Sequence, residues 1–285
     1  MLRRSLLIFA AAGALAITGC SDNTPSSDAA KAKTGQASAM DKDVLTVGME
    51  LAYPPFEGKD AKGNPAGVSV DFMADFGKAI GKKVRVENIA FDGLVPALVT
   101  GKIDMIMSSM TITDARRETV DFSEPYANAM LALLTKKDAS IKSIDDLNAP
   151  GRTLAVKIGS TGHLFAQKHL TKAKITALAD ESACVMEVAG GKADGFIYDQ
   201  LTIYRNQQKN PDTTNALFIP FQDVEPWGVA VRKGDKKLKD ALDKFIADYR
   251  ASKGFEKLTA KHLAAEKAAF DKLGFTWFFD MSPAK

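Results

Sequence analysis

Four short stretches of the sequence gather side chains able to hold a small charged molecule. Glu50 stands just before Tyr53-Pro54-Pro55-Phe56-Glu57, where two prolines fix the loop and hold its aromatic side chains in place. Ser108-Ser109-Met110-Thr111-Ile112-Thr113-Asp114-Ala115-Arg116-Arg117 follows an apolar run. Its Ser, Thr and Asp predict a helix N-cap near Asp114, with Arg116 in the first turn. Backbone N–H groups, hydroxyls and a guanidinium would then surround one point, which suits a carboxylate. Gly159-Ser160-Thr161-Gly162 is a second anion-friendly turn that opens a helix. The fourth stretch is a single acid, Asp199, placed after an apolar segment. Singly, each has a plain explanation: Ser, Thr and Asp clusters cap helices, arginines are mostly solvated, and an acid after a strand is often a turn residue. Together they offer a carboxylate clamp and an opposed acid, the complement of an α-amino acid zwitterion.

The elements that must position these residues alternate. Val44–Met49 reads as a strand, residues 67–70 as a second, and 71–80 as an amphipathic helix closed by Gly81. A strand over 84–89, a short helix over 91–100 and a buried strand over 103–107 follow. The rhythm restarts with an apolar run over 130–135, a short capped helix over 143–147 and a strand over 153–158. A helix over 162–170, a strand over 175–178, the helix Glu181–Ala189, a strand over 195–198 and a helix over 201–208 come next. An apolar segment over 216–221 and a strand over 227–231 precede helices over 236–250 and 255–266. Two β-α-β sets with a late return define an α/β protein of two lobes. Ligands in such sheets sit outside the carboxyl ends of the strands, where all four stretches fall.

The 285 residues are 46% apolar, enough for one large or two small cores, and carry 38 Lys and Arg against 35 Asp and Glu. Nothing in that balance points to nucleic acid. Three His and two Cys show no ligand spacing, so no metal and no cofactor is expected. At the N-terminus, Arg3 and Arg4 precede an apolar stretch over 5–17 that is too short to span a membrane. Ile17-Thr18-Gly19-Cys20 resembles the lipobox of bacterial lipoproteins. The resemblance implies that residues 1–19 are a signal peptide and that Cys20 is the acylated first residue of an exported protein, in the periplasm or on the cell surface. Residues 20–43 are rich in Ser, Ala, Lys and Asp and read as a flexible tether behind that lipid anchor. Cys184 is then left without a disulfide partner and reads as a small buried residue.

Further motifs carry a wider resemblance: Phe91-Asp92-Gly93-Leu94-Val95-Pro96-Ala97-Leu98, Gly101-Lys102-Ile103-Asp104, Asp121-Phe122-Ser123-Glu124-Pro125-Tyr126 and Gly228-Val229-Ala230-Val231-Arg232-Lys233-Gly234. With the Tyr53–Glu57 and Ser108–Arg116 runs, they make residues 45–258 resemble the polar amino-acid-binding proteins of ABC importers. That bacterial solute-binding family includes the glutamine, histidine and lysine/arginine/ornithine binders. The resemblance implies a two-lobed periplasmic-binding-protein fold of type II, each lobe a mixed sheet flanked by helices. Lobe one would be 44–129 plus 223–285, lobe two 130–222, joined by hinge segments at 127–130 and 223–227. It also implies a monomer that binds a free amino acid by closing, catalyses nothing and is read by a permease. Arg116 and Thr111, with the backbone at Thr161, match positions that bind a ligand's α-carboxylate; Asp199 and Ser109 match those for its α-ammonium. Tyr53 and Phe91 match walls that sandwich the ligand side chain, Glu50 an acid facing its far end, and Ser108, Met110, Gly159 and Ser160 complete the lining.

Lys157 decides what Glu50 can select. Glutamine binders of the family carry a lysine there that pairs with the lobe-one acid. If Glu50 and Lys157 meet, the pocket end is neutral and favours a polar side chain such as glutamine. If Lys157 points to solvent, a basic ligand such as arginine, lysine or histidine follows. Two rivals remain on the same fold: a periplasmic cyclohexadienyl or arogenate dehydratase, with Glu50 as its proton-transfer acid, and the ligand-sensing partner of a receptor. The apolar Gly274-Phe275-Thr276-Trp277-Phe278-Phe279 is expected to pack on lobe one as a terminal strap.

Overall fold

The computed structural model describes residues 37–281. The signal peptide, Cys20 and most of the tether read from the sequence lie outside the described residues, as do 282–285. In chain order the elements are β1 (Val44–Met49), β2 (Gly58–Lys59), β3 (Pro65–Ala66), α1 (Val68–Ala79), β4 (Lys83–Asn88), α2 (Phe91–Val99), β5 (Met105–Ile106), α3 (Asp114–Thr119), β6 (Val120–Phe122), β7 (Ala127–Ala129) and β8 (Leu131–Lys136). They continue as β9 (Thr153–Lys157), α4 (Thr161–His169), β10 (Lys174–Leu178), α5 (Glu181–Ala189), β11 (Gly195–Asp199), α6 (Gln200–Lys209), β12 (Thr214–Leu217), β13 (Glu225–Trp227), β14 (Ala230–Arg232), α7 (Lys236–Ala251), α8 (Gly254–His262) and α9 (Ala264–Leu273).

Two five-stranded sheets result, β4-β1-β5-β14-β6 and β10-β9-β11-β8-β12. Each is parallel at its β-α-β half and antiparallel where the chain returns: β14 runs against β5 and β6, and β8 runs against β11 and β12. Helices cover both faces, so each sheet is buried between two apolar clusters and inner strands such as β1 and β8 read as nearly continuous hydrophobic runs. Between the sheets the chain passes through β7 and returns through β13, which pair antiparallel with Glu225 opposite Ala129 and Trp227 opposite Ala127. Cys184 is fully buried and free.

Among the local expectations that differ from the structure, three have a clear physical reason. Residues 67–70 are not a strand: Gly67 at φ 129° turns the chain into α1, whose first amides at Val68 and Ser69 donate to the carbonyls of Pro55 and Phe56. A Cβ on Gly67 would stand 2.4 Å from the Phe56 carbonyl oxygen, so this contact needs glycine. The strand over 227–231 is broken into β13 and β14, because the segment leaves the hinge ribbon before it joins the lobe-one sheet. The tether stops short of residue 43. Ser38 donates to Asp235 at 2.5 Å, the Ala39 amide donates to its other oxygen at 2.9 Å, and Ala39 is fully buried. A carboxylate capping α7 also captures the incoming chain, an attraction invisible in a segment's composition. The C-terminal aromatic run packs into the lobe-one core with Trp277, Phe278 and Phe279 buried, and the Asn128 amide beside the hinge donates to the Phe278 carbonyl at 2.7 Å.

Candidate functional site

Four loops at strand ends bring the site together. β1 delivers Glu50 and the Tyr53–Glu57 turn, which closes on itself through Tyr53 and Glu57 amide–carbonyl bonds of 2.8 and 2.9 Å. The segment after β5 delivers Ser108, Ser109 and Thr111. Thr113 caps α3 by accepting from the Arg116 amide, which sets Arg116 in the first turn as the sequence suggests. In the second lobe Ser160 caps α4, and Gly162 lets that helix approach β11, since a Cβ there would lie 2.6 Å from the Ile197 carbonyl oxygen. Asp199 ends β11 and caps α6.

Together these loops line a small cavity walled by Glu50, Tyr53, Phe91, Ser108, Ser109, Thr111, Arg116, Ser160, Thr161 and Asp199, with Ala129, Leu131, Tyr198, Glu225 and Trp227. Arg116 reaches across it. Its Nη1 donates to the Thr111 carbonyl of its own lobe at 2.6 Å, and its Nη2 to the Gly159 carbonyl of the other lobe at 2.9 Å. The guanidinium stands 5.5 Å from the Phe91 ring centroid. Burial draws its pKa down to about 10, with Glu225 opposing the change.

Asp199 behaves differently. Its Oδ1 accepts from the Leu201 and Thr202 amides at 2.9 and 3.1 Å. Its Oδ2 is buried and makes no well-formed hydrogen bond among the described residues; the Tyr53 hydroxyl, which also lacks one, lies close enough to interact with it. Burial pushes the Asp199 carboxyl above the usual carboxylate range, while the Thr202 amide, the Tyr53 and Thr202 hydroxyls and the Leu201 amide hold it back. Tyr53 stacks on Phe56 and meets Tyr198 and Trp227 edge-on, so one aromatic wall runs from lobe one through the hinge to lobe two.

At the other end, Glu50 and Lys157 form an ion pair between the lobes, and Lys157 is only 1% exposed. The second Glu50 oxygen accepts from the Phe91 amide at 3.2 Å. Lys157 does not line the cavity; its Nζ stands 5.5 Å from the Phe91 ring centroid and 5.9 Å from that of Tyr198. Behind the wall lies Glu57, fully buried. Ser69 and Ser109 donate to it, and burial raises its carboxyl to about 8. Ser109 reaches Glu57 from a left-handed backbone at φ 48°, unusual for a residue other than glycine and common at functional sites.

Besides Lys157, two more residues singled out from the sequence lie off the cavity lining. Met110 is buried in the lobe-one core cluster, while Ser108, Ser109 and Thr111 on either side of it line the cavity. Gly159 contributes its carbonyl to Arg116 rather than a wall. Sequence reasoning missed Tyr198, Ala129, Leu131, Glu225 and Trp227. The last two were assigned to the hinge alone, although Glu225-Pro226-Trp227 has the period-two spacing that turns both outer side chains to one face. Among the described residues no cluster of His, Cys, Asp or Glu could hold a metal ion, and no helix is long and apolar enough to cross a membrane.

Two α/β lobes, a two-segment hinge and a polar cavity at the strand ends define a periplasmic-binding-protein fold of type II. The chain belongs to family 3 of the bacterial extracellular solute-binding proteins, whose profile matches residues 45–265. It is 33% identical over 264 residues to a probable histidine-binding protein of Neisseria gonorrhoeae, covering 90% of this chain and 94% of that one. It is 32% identical over 238 residues to an L-arginine-binding protein of Pseudomonas aeruginosa, covering 79% and 90%. Among solved structures it resembles an ancestral amino acid-binding protein described as a precursor of cyclohexadienyl dehydratase, with TM-score 0.72, 35% identity, and 79% and 99% of the two chains covered.

Proposed function

We propose that this protein is the substrate-binding component of an ABC amino-acid uptake system and takes a free polar or basic L-amino acid between its lobes. The observation that carries this reading is Asp199. One of its oxygens is spent on α6, while the other lies buried on the cavity wall with no well-formed hydrogen bond and only the Tyr53 hydroxyl beside it, across from a guanidinium of the opposite lobe. A buried acceptor left unpaired is costly, and an α-ammonium would satisfy it. The ligand's α-carboxylate would face Arg116, Thr111 and the first amides of α4, which have no acceptor within their own helix. Tyr53 and Phe91 would flank its side chain.

The Glu50–Lys157 pair makes the far end neutral and able both to accept and to donate, which favours a polar side chain such as glutamine. A basic side chain competes with Lys157 for Glu50, and the relatives named for histidine and arginine keep that class within the proposal. Arg116 and Asp199 come from different lobes, so closure assembles the site. Shutting the cleft on unmatched charges is costly. A zwitterion removes that cost and shifts the population toward the closed form, which the permease would read. Export, acylation at Cys20 and attachment to a membrane complete the proposal.

The chain would catalyse no reaction. Glu50, the acid read as the proton-transfer group of a dehydratase, is held by Lys157 and the Phe91 amide. Prephenate and arogenate should yield no aromatic product. Thermal-shift screening against the twenty amino acids tests binding, since a ligand at a hundred times its Kd adds about 2.7 kcal/mol of stability. A polar or basic amino acid should raise Tm in the wild type; no shift with any of the twenty would refute the proposal.

A further inference from the structure

The residues proposed for the ligand's carboxylate already hold one. Glu225, on hinge strand β13 and 8% exposed, accepts through Oε2 from Thr111 Oγ1 of lobe one at 3.0 Å and from Thr161 Oγ1 of lobe two at 2.7 Å. Gln222 Nε2 donates to its Oε1 at 2.5 Å, and the Arg116 guanidinium supplies the neighbouring positive charge. One carboxylate thus ties lobe one, lobe two and the hinge at a single point on the cavity wall.

We propose that Glu225 is an intramolecular occupant of the carboxylate subsite, a hinge-borne latch that draws the lobes together and that an arriving ligand carboxylate must displace. This rests on the reading of Thr111, Arg116 and Thr161 as that subsite. Each threonine hydroxyl has one proton, and in the structure both are donated to Glu225, so neither can serve a second carboxylate until Glu225 moves. Two carboxylates beside one guanidinium also repel each other, which drives the exchange to completion rather than to sharing. Room for the exchange exists: residues 218–224 form no helix or strand, and Asp223 and Val224 next to Glu225 are exposed. The latch makes closure partly independent of ligand and weakens binding by self-competition, as any internal occupant of a site must.

Small-angle scattering and calorimetry on the full chain test this with Glu225→Ala and Glu225→Gln. Ligand-free wild type should scatter nearly as compactly as protein saturated with L-arginine, L-histidine or L-glutamine. Ligand-free Glu225→Ala should have a larger radius of gyration and contract on saturation, and should bind its best probe roughly tenfold more tightly than wild type. Glu225→Gln, which keeps an acceptor oxygen but loses the charge, should fall between the two. An unchanged ligand-free profile, or an unchanged or weakened affinity in Glu225→Ala, overturns the latch. If Glu225→Ala does not fold, Gln222→Ala loosens the same carboxylate, and the same expansion is required of it. Should none of the probes bind the wild type, the proposed function fails, while the ligand-free scattering still decides the latch.

Discussion

The two ends of the cleft are built on opposite principles. At one end Glu50 and Lys157 face each other from different lobes and neutralise each other inside the closed protein. At the other, Arg116 crosses between lobes but spends its donors on two carbonyls, while Asp199 keeps one oxygen unpaired and Glu225 bridges two threonines. The first end is complete without a guest. The second holds charges whose partners are borrowed or loosely placed, and there the proposed ligand's own charges would count most. On the proposed function, recognition of the backbone zwitterion would be concentrated at Arg116 and Asp199, and discrimination among side chains at Glu50 and Lys157.

That division is open to attack by substitution. Arg116→Ala removes the guanidinium on which the carboxylate would rest. Truncating one partner of a buried charge contact costs about 2–5 kcal/mol, so calorimetry should show affinity for every amino acid lowered by roughly a hundredfold or more. Met110→Ala should cost roughly 2–5 kcal/mol of folding stability by leaving a cavity in the lobe-one core, with ligand affinity unchanged. A matching loss of affinity would return Met110 to the site. Lys157→Met leaves Glu50 without its partner in the closed cleft. The ratio of arginine to glutamine affinity should then rise by roughly tenfold or more, because only a cationic side chain restores the pairing; equal losses for both ligands would mean that this end selects nothing.

The smallest effect concerns Glu57, behind the aromatic wall. Burial holds its carboxyl at about 8 in the folded protein against an ordinary 4.5. The folded state therefore binds a proton that the unfolded state has already released across this range. The resulting stabilisation is full below the unfolded value and disappears as pH rises through about 8. Glu181, raised to about 8 by its own burial, contributes with the same sign. The Tm should fall between pH 5 and 8, and Glu57→Gln should flatten part of that fall.

Much of the site was legible because caps and strand ends leave local marks. Thr113 before Asp114, Ser160 before Thr161, and Asp199 at the end of an apolar strand each announced a helix start with polar atoms beside it. Where a contact depends on distant chain segments, the sequence was silent. Glu225 reads as an ordinary hinge acid until Thr111 and Thr161 are seen to converge on it across separations of more than sixty residues. The Lys157 pairing was open for the same reason, since one strand residue can face solvent or the opposite lobe with equal local plausibility. Ala39, buried by its neighbour's bond to Asp235, lay in a segment whose composition gave no hint of docking.

The most direct test of recognition at the Arg116–Asp199 end is isothermal titration of Asp199→Asn with the amino acid that wild type binds most tightly. The amide keeps the shape and the α6 cap but cannot match an ammonium with a full negative charge. Affinity should fall by about a hundredfold or more while Tm without ligand stays the same or rises, because a buried unpaired carboxylate has been removed. Undiminished affinity in that variant would contradict the account, since the unpaired oxygen would then not be what the ligand comes to satisfy.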